Sequence, residues 1–292
     1  MSWLIVGTVP RADFSLAWGP YTVQERAIEV LGVTVNVARG TPALMATAFV
    51  AARALGIDPP EALIIGDTGS GEGSRNLYKH LVDNLERFRH AGVTFHYLMP
   101  DVVWHNKILW GLAELAERPL LVADAGFMYA AKMSGYADHY DLFTPDAGEM
   151  AFLADEVAPH PFYTRGFLLQ EEAMIPDLID AAFASANAAR HLLVKGQTDY
   201  VVDGGRIVSR LSEPDTPAME PIGGTGDTLT GLVTALLASG MDMTKACRTA
   251  ALANRYLGVL ANPTPAFGVA ELLPFLPEAL DLAVRDAEVC DL

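Results

Sequence analysis

Short apolar runs alternate along the chain with longer segments of helical periodicity. Several of these runs are continuously apolar, which is typical of strands that are covered on both faces of a sheet. The strand candidates are Trp3–Gly7, Ala62–Gly66, Val93–Leu98, Leu120–Asp124, Asp141–Thr144, His191–Lys195 and Tyr200–Asp203. The pattern predicts a largely parallel sheet with a buried centre.

Helical segments fill the spaces between these strands. Thr41-Pro42 predicts an N-cap followed by proline at the first helical position, and the apolar face behind it ends at Gly56. From Asp227 to Ser239, apolar residues recur at helical spacing, and Gly240 follows as a stop. Further helices are predicted for Ser74–Arg89 and Met243–Leu260.

This alternation predicts an α/β fold, a three-layer α/β/α sandwich with a mostly parallel central sheet. We expect a single domain over residues 1–292, because no repeat, low-complexity segment or clear linker interrupts the pattern. The irregular stretch Ala158–Gln170, with its prolines and aromatics, is interpreted as a flap or as a plain surface loop. Ligands of such folds bind beyond the carboxyl ends of the strands, so the site is expected at that edge.

Composition narrows the choice of partner. Hydrophobic residues make up 51% of the 292 residues and charged residues 19%, which is enough for a sizeable core. The formal charge of −16 argues against nucleic acid or an anionic membrane surface as the main partner. A small anionic ligand stays compatible, because a helix N-terminus and one or two lysines make a local positive site.

Cysteine usage and hydropathy bear on the setting of the protein. The two cysteines, Cys247 and Cys290, form no C-x-x-C pair and predict no disulfide framework. No run approaches the ~18 apolar residues of a membrane span, and the first residues do not resemble a secretory signal. We therefore expect a cytoplasmic protein. The small-residue faces of Ala43–Ala54 and Ala246–Ala253 pack within the core or between subunits, and a homo-oligomer is expected.

The clearest candidate for chemistry is Gly223-Gly224-Thr225-Gly226-Asp227, directly before an amphipathic helix. The glycines let the backbone approach a ligand, and the first N–H groups of the helix have no partners within the helix. Together with the helix dipole they form a site for phosphate oxygens, which makes Gly223, Gly224, Thr225 and Gly226 candidate nucleotide-binding residues. Asp227 is placed to accept a proton from a nearby hydroxyl; alternatively it is only a first-turn acid that favours the dipole.

Four segments occur in an order that resembles the ribokinase-like superfamily. Gly224–Gly231 resembles its G-T-G-D signature, in which the glycine–threonine stretch forms an anion hole and the aspartate is the catalytic base. Leu192–Gly196 resembles the L-K-G segment, Phe143–Met150 the T-P-H-P-G-E segment, and Leu121–Ala125 a strand that ends in an Asp-Ala pair. Over roughly Gly40 to Gly258 the set resembles in particular the carbohydrate-kinase-like domain of ADP- or ATP-dependent NAD(P)H-hydrate dehydratases.

Three positions depart from that pattern. Asp146 stands where the family has histidine, Ala147 replaces the next proline, and Gly126 replaces the second aspartate of a D-A-D segment. These positions lie near the substrate in the dehydratases, so they bear on which substrate is bound. Asp146-x-x-Glu149 keeps the spacing of the N-x-x-E motif of the kinases, which supports Mg²⁺ through its waters.

Four candidate residues have structural alternatives. Mg²⁺ prefers carboxylates, waters and phosphate oxygens, so Glu149 and Asp146 are candidate Mg²⁺ ligands through water; the same spacing suits a helix capping box, and both roles can hold together. Lys195 follows a strand and is a candidate to neutralise a transferring phosphate, or an ordinary strand-end lysine in solvent. Asp124 is predicted to contact a substrate hydroxyl, or to cap the helix that starts near Phe127.

More peripheral candidates complete the predicted site. Gly66, which opens the glycine-rich segment up to Gly73, and Asn36 are predicted to lie near the substrate. The glycine-rich segment lacks the lysine of a phosphate-binding P-loop, and a plain turn is an equal alternative. Asn254 is predicted to approach the nucleotide base. His105 is interpreted as a partly exposed histidine at a helix start.

Three functions are compatible with these residues. The leading hypothesis is Mg²⁺-dependent phosphoryl transfer from ATP to a hydroxyl of a small metabolite, with Asp227 as base. The second is the dehydratase reaction that the resemblance implies, in which a hydrated nicotinamide is phosphorylated with ADP or ATP and phosphate is then eliminated. The third is a nucleotide-binding sensor or scaffold without turnover.

Overall fold

The structure is a computed structural model that describes residues 2–157 and 174–289. The segment Ala158–Gln170, predicted to be a flap or a surface loop, lies outside the described residues. The strands are β1 (Trp3–Val9), β2 (Ala17–Gly19), β3 (Tyr21–Gln24), β4 (Ala27–Val30), β5 (Val33–Asn36), β6 (Glu61–Gly66), β7 (Gly92–His96), β8 (Leu120–Ala123), β9 (Leu142–Phe143), β10 (His191–Val194), β11 (Asp199–Asp203) and β12 (Arg206–Leu211). The helices are α1 (Thr41–Ala54), α2 (Glu72–Asp83), α3 (Val102–Ala113), α4 (Ala125–Met133), α5 (Ala147–Ala154), α6 (Ile175–Ala184), α7 (Thr225–Ala238), α8 (Met243–Ala261), α9 (Val269–Leu272) and α10 (Leu276–Val289).

A nine-stranded sheet forms the middle layer, in the order β12-β11-β10-β9-β8-β7-β1-β6-β2. The strands from β10 to β6 pair in parallel, while β11 pairs antiparallel with both of its neighbours and β2 pairs antiparallel with β6. Because the parallel strands all end at one edge of the sheet, the side chains that follow them are brought together there.

Helices cover both faces of this sheet, which confirms the predicted three-layer α/β/α architecture. One apolar core joins the sheet to α1, α7, α8 and α10, and a second core joins it to α2, α3, α4, α5 and α6. Strand β1 contributes Trp3 and Ile5 to the first core and Leu4 and Val6 to the second. Both faces of the strand are therefore buried, which explains why its sequence is continuously apolar.

A small antiparallel sheet of β3, β4 and β5 lies outside the main sheet. Tyr21, Ile28 and Val30 belong to the core that includes α1, and the Tyr21 hydroxyl donates to the carbonyl of Met45 at 2.8 Å. Each of these strands is four residues long and includes exposed or half-buried positions, and Leu31 is exposed in the turn between β4 and β5. The hydrophobic pattern did not predict them, because runs this short and this polar give a weak strand signal.

Two local predictions need correction. The N-cap of α1 is Gly40, with a φ of +70°, and Thr41 is the first helical residue, so its hydroxyl is free to bond elsewhere. In the glycine-rich segment after β6, a Cβ on Gly66 would lie 1.8 Å from the Arg11 carbonyl oxygen, so glycine is needed there for backbone packing. The loop itself is closed by Asp67, whose carboxylate accepts from the amides of Gly69, Gly71 and Ser74.

Within the described residues, no helix combines the length and the apolar character that crossing a membrane requires. The same residues contain no group of three or more histidine, cysteine, aspartate or glutamate side chains arranged to hold a metal ion.

Candidate active site

A cavity of about 770 Å³ opens at the carboxyl edge of the parallel strands. The ends of β7, β8 and β10 and the first turn of α7 form its inner wall, where Tyr97, Asp124, Lys195 and Asp227 line it. The outer wall comes from the segment between β12 and α7 and from α8. The candidate residues are therefore gathered by the topology of the sheet, as expected for this class of fold.

The glycine loop forms one side of this cavity. Gly224 has a φ of +102°, and a Cβ there would lie 2.9 Å from the Ala38 carbonyl oxygen, so no other residue fits. Gly224, Thr225 and Gly226 line the cavity, whereas Gly223 is not among the described lining residues. Nucleotide binding by these residues stays a prediction. Their position at the start of a 14-residue helix presents unpaired N–H groups and the positive end of its dipole to the cavity.

Asn254, on α8, also lines the cavity and supports this helix start. The Thr228 hydroxyl donates to its Oδ1 at 2.6 Å, and its Nδ2 donates to the Thr225 carbonyl at 3.3 Å. The side chain thus fixes the first turn of α7 from the side of the cavity. Contact with a nucleotide base stays a prediction.

Asp227 lies in the first turn of α7 and is 8% exposed. Its Oδ2 accepts from the Gly40 amide at 2.6 Å, and its Oδ1 accepts from His96 Nε2 at 3.0 Å. Burial opposes the charged form, but the bonds from His96 and Gly40, together with the charge of Lys195, lower the pKa of Asp227 below its usual value. The carboxylate is therefore ionised and oriented toward the cavity, which is what a proton acceptor requires.

His96 ends β7 and was not predicted as a site residue. It is completely buried, and its Nδ1 lies 3.1 Å from the Thr41 hydroxyl oxygen at the start of α1. Its Nε2 also lies 3.7 Å from Asp124 Oδ2. The sequence contained one clue, a polar residue near the carboxyl end of a predicted buried strand, but periodicity alone does not show which face of a strand meets a site.

Lys195 and Asp124 form a buried ion pair across the ends of β10 and β8. Lys195 Nζ donates to both Asp124 oxygens at 3.1 and 3.0 Å, and Thr230 donates to Asp124 Oδ2 at 2.7 Å. Burial disfavours the lysine charge, but Asp124, Glu149 and Asp146 outweigh it and raise the pKa of Lys195. The lysine is thus a fixed positive charge beside the glycine loop and not a strand-end residue in solvent.

Asp124 also accepts from the Ala125 amide at 2.9 Å as the N-cap of α4, the alternative that the sequence left open. With this bond and the bonds from Lys195 and Thr230, its carboxylate is occupied from within the protein. The predicted contact between Asp124 and a substrate hydroxyl stays a prediction, whereas its role as a link between strand ends is visible in the geometry.

Asp146 and Glu149 form the capping box of α5 and also line the cavity. Asp146 Oδ1 accepts from the Glu149 amide at 2.8 Å, Glu149 Oε2 accepts from the Asp146 amide at 2.9 Å, and the Tyr129 hydroxyl donates to Glu149 Oε1 at 2.7 Å. Burial, followed by the negative charge of Asp124, raises the pKa of Glu149 to about 8. The box bond uses Oδ1 of Asp146, so its Oδ2 remains available to a water bound to a cation.

Two predicted substrate residues lie elsewhere. Asn36 is exposed at the end of β5, Gly66 packs against the Arg11–Phe14 segment, and neither is among the described residues that line the cavity. The substitution at Gly126 has a steric cause, because a Cβ there would lie 1.9 Å from the Leu98 carbonyl oxygen. The chain after β7 therefore leaves no room for a side chain at this position.

Tyr97 is the second residue that the sequence did not indicate. It lines the cavity beside Asp227, is 51% exposed and has a φ of +49°, which is rare for a bulky residue. Its ring meets the His96 ring edge-on, with centroids 4.6 Å apart, and its backbone carbonyl accepts from the Thr8 hydroxyl. The aromatic wall beside the base is thus held by contacts to β1 and to His96.

The cavity carries a surplus of negative charge. The two basic residues among the described part of the lining are both paired, Lys195 with Asp124 at 3.0 Å and Arg255 with Asp199 at 2.9 Å. The acidic residues among the described lining residues are Asp124, Asp146, Glu149, Asp199, Asp215, Glu220 and Asp227, and of these Glu149 has its pKa raised to about 8. A polyphosphate that enters this cavity meets more like charge than opposite charge, apart from the glycine loop.

Comparison with known proteins places the chain in a family. A family model described as NAD(P)H-hydrate dehydratase matches residues 101–273. An uncharacterized protein, MJ1337, from Methanocaldococcus jannaschii is 38% identical over 226 residues, which cover 77% of this chain and 93% of that protein. A bifunctional NAD(P)H-hydrate repair enzyme, Nnr, from Hyperthermus butylicus is 39% identical over 109 residues, which cover 36% of this chain but only 20% of that enzyme.

The fold has relatives among solved structures. A ribokinase-like superfamily protein from Enterococcus faecalis matches with a TM-score of 0.57 at 14% identity, over 97% of this chain and 87% of that one. An identity this low shows the fold alone. Because the family model spans more than half of the chain, the protein belongs to the NAD(P)H-hydrate dehydratase family, a family of enzymes, on a ribokinase-like fold.

Proposed function

We propose that the protein is a nucleotide-dependent NAD(P)H-hydrate dehydratase. The observation that carries this proposal is the buried, ionised Asp227 at the glycine-loop start of α7, facing a cavity of about 770 Å³. Membership of the dehydratase family favours this function over the sugar-kinase type of phosphoryl transfer that the glycine motif first suggested. Both functions share the phosphoryl-transfer step.

In the proposed reaction, Asp227 accepts the proton of the hydroxyl on the hydrated nicotinamide ring. The hydroxyl oxygen forms a bond to the terminal phosphorus of ADP or ATP as the bond to the leaving nucleotide breaks. Amides of Gly224–Gly226 and the ammonium of Lys195 stabilise the charge that develops on the phosphoryl oxygens. The carbon–oxygen bond of the phosphorylated ring then breaks, phosphate leaves, and loss of a proton from the neighbouring carbon restores the double bond.

The acidic surplus of the cavity supports a requirement for a divalent cation. Asp146 and Glu149 are carboxylates beside the glycine loop, which is the donor set that Mg²⁺ takes together with waters and phosphate oxygens. In this proposal they hold Mg²⁺ through its waters. The cation, when bound, neutralises phosphate charge as it transfers. Lys195 lies within the same cluster of carboxylates and adds a second positive charge.

The decisive assay supplies purified protein with hydrated NADH and either ADP, ATP or no nucleotide, and follows the return of NADH absorbance. Recovery with one nucleotide and none in its absence is expected, and Asp227→Asn is expected to abolish most of it. Absence of recovery with both nucleotides in wild-type protein would remove the dehydratase proposal.

A second candidate is a kinase for another small hydroxyl-bearing metabolite. The observation that favours it is the pair of departures on the substrate side, Asp146 and Gly126, the second of which the Leu98 carbonyl enforces. A kinase consumes ATP and accumulates a stable phosphorylated product without NADH recovery. Nucleotide binding without consumption, across a panel of hydroxyl compounds, would instead point to a sensor.

A further inference from the structure

His96 is a buried imidazole that the proposed chemistry does not use directly. It is completely buried where β7 ends, among the start of α1, the start of α7 and the end of β8. Asp227 of α7 lies 3.0 Å from Nε2, Asp124 after β8 lies 3.7 Å from the same atom, and Thr41 of α1 lies 3.1 Å from Nδ1. Tyr97 covers one edge of the ring. An imidazole in this position has a partner for each nitrogen.

The partners define the hydrogen-bond directions. Asp227 has only acceptor oxygens when it is ionised, so the proton of this bond must be on Nε2. When only Nε2 carries a proton, Nδ1 is an acceptor, and the Thr41 hydroxyl, which also lies 3.5 Å from the His96 carbonyl oxygen, is its donor. Thr41 is the first residue of α1 and not its N-cap, so its hydroxyl is not used to cap that helix. The hydroxyl therefore selects the tautomer that donates to the base, in the way that a neighbouring group commonly orients a catalytic histidine.

We propose that His96 is the positioning residue for the catalytic base, and that Thr41 sets its tautomer. The inference rests on the proposed role of Asp227 as base. His96 and the Gly40 amide hold the two carboxylate oxygens from different elements, so the carboxylate has one orientation relative to the cavity. Proton transfer depends on that orientation, since misplacement by about 1 Å costs roughly 10²-fold in rate.

The same bond stabilises the ionised form of Asp227. The charged or titratable groups that face Asp227 are His96 from β7, Lys195 from the end of β10 and Tyr97; Asp124, after β8, faces His96. The Nε2–H donor offsets part of the effect of burial, which favours the protonated form of Asp227. Removal of this donor is therefore expected to raise the pKa of Asp227. The acid limb of the kcat profile then moves to higher pH, an effect that a general loss of stability does not produce.

The test compares His96→Phe, which fills the space without a donor, with His96→Gln, whose side-chain amide can donate at the place of Nε2. His105→Gln is the matched control, because His105, which the sequence wrongly predicted to be partly exposed, is also completely buried but contacts Tyr140 and Asn106. In the NADH recovery assay, His96→Phe is expected to lower kcat by about 10²-fold with little change in KM. It is also expected to shift the acid limb of the kcat profile to higher pH. His96→Gln is expected to restore part of both, and His105→Gln to change neither.

Thr41→Val supplies a second test, because it keeps the shape and removes the hydroxyl. Alone it is expected to lower kcat less than His96→Phe, and combined with His96→Phe to add nothing. An unchanged acid limb in folded His96→Phe would overturn the proposal. So would equal losses in His96→Phe and His105→Gln.

A measurement without substrate separates this inference from the proposed function. Carboxyl-carbon NMR of aspartate-labelled protein titrates Asp227 directly, and the Asp227→Asn spectrum assigns its signal. A higher pKa of Asp227 in His96→Phe than in wild type supports the positioning role even when hydrated NADH is not a substrate. Identical titrations would overturn it whatever the substrate is.

Discussion

At the scale of single residues, Asp227 combines burial with a full negative charge. A carboxylate at 8% exposure stays ionised only because a backbone amide and an imidazole donate to it and Lys195 lies nearby. The alternative interpretation of Asp227, as an acid that merely favours the helix dipole, does not require these donors. The helix start and the donors together orient the carboxylate toward the cavity.

Asp227→Asn is expected to lower kcat by about 10²–10⁴-fold, because the amide cannot take up a proton. The affinity for nucleotide, measured by calorimetry, is expected to stay within a few-fold. Asp215→Asn is the control, since Asp215 lines the same cavity and its substitution removes the same amount of negative charge. Full turnover by the Asp227 variant, with product formation followed directly, would contradict the assignment of the base.

The ion pair of Asp124 and Lys195 leads to a prediction about stability. Asp124→Asn removes the partner of a lysine whose side chain is 14% exposed, and the free energy of unfolding is expected to fall by about 3 kcal/mol. Replacing both residues, as Asp124→Asn with Lys195→Met, is expected to recover part of this loss. Urea unfolding of the two variants and wild type measures the difference; equal stability of all three would show that the pair contributes nothing.

At the scale of elements, the long buried strands and helices were predictable because their apolar residues repeat over many positions. Strand β7 was predicted, yet His96 at its end was not recognised, because a buried strand has the same sequence pattern whether its last residue meets core or cavity. The small sheet of β3 to β5 was missed for a different reason. Its strands depend on α1, a tertiary contact that no local pattern contains.

The predicted site divides along the same line. Asp227, Lys195 and Glu149 lie in motifs of local sequence, and each lines the cavity. Asn36 and Gly66 were assigned to the site by their position near a strand end, and neither is among the described residues that line the cavity. The direction in which a loop leaves a strand depends on the residues that pack beneath the loop. Spacing predicts neighbours within one element well and neighbours between loops poorly.

The start of α4 provides a test of packing at the element scale. Gly126→Ala is expected to lower the free energy of unfolding by about 1–3 kcal/mol or more, because its Cβ would lie 1.9 Å from the Leu98 carbonyl oxygen. Gly223→Ala is the control, since the nearest atom to its Cβ is 3.7 Å away on the Arg39 side chain. Thermal unfolding measures the two variants. Equal decreases in their melting temperatures relative to wild type would contradict the close approach at Gly126.

At the scale of the whole molecule, charge is the dominant property. The chain carries a formal charge of −16, and the lining of the cavity repeats this surplus. We therefore expect removal of divalent cations to weaken binding of ATP or ADP on the order of tenfold or more, because phosphate then meets unscreened carboxylates. Calorimetry with and without chelator measures this, with adenosine as the ligand that carries no phosphate. Equal affinities with and without cation would contradict the expectation.

Glu149 connects this charge to global stability. Its pKa is raised to about 8, chiefly by burial, so its contribution to stability is complete below the ordinary value near 4.5 and is lost as pH rises through about 8. In chelated buffer, the urea midpoint of wild type is expected to fall over this window more than that of Glu149→Gln. Exposed Glu117→Gln is the control, and parallel curves for all three proteins would contradict the prediction.

The two donors that hold Asp227 differ in how they can be lost during evolution. His96 donates through its side chain, so most single substitutions at that codon remove the contact. Gly40 donates through its backbone, and only proline lacks that N–H, although the φ of +70° restricts replacements for a separate reason. The hydrogen bond from the Gly40 backbone to Asp227 is therefore less easily lost by mutation than the bond from the His96 side chain. Lineages that abandon turnover should accordingly lose the histidine first and keep the backbone contact long afterwards.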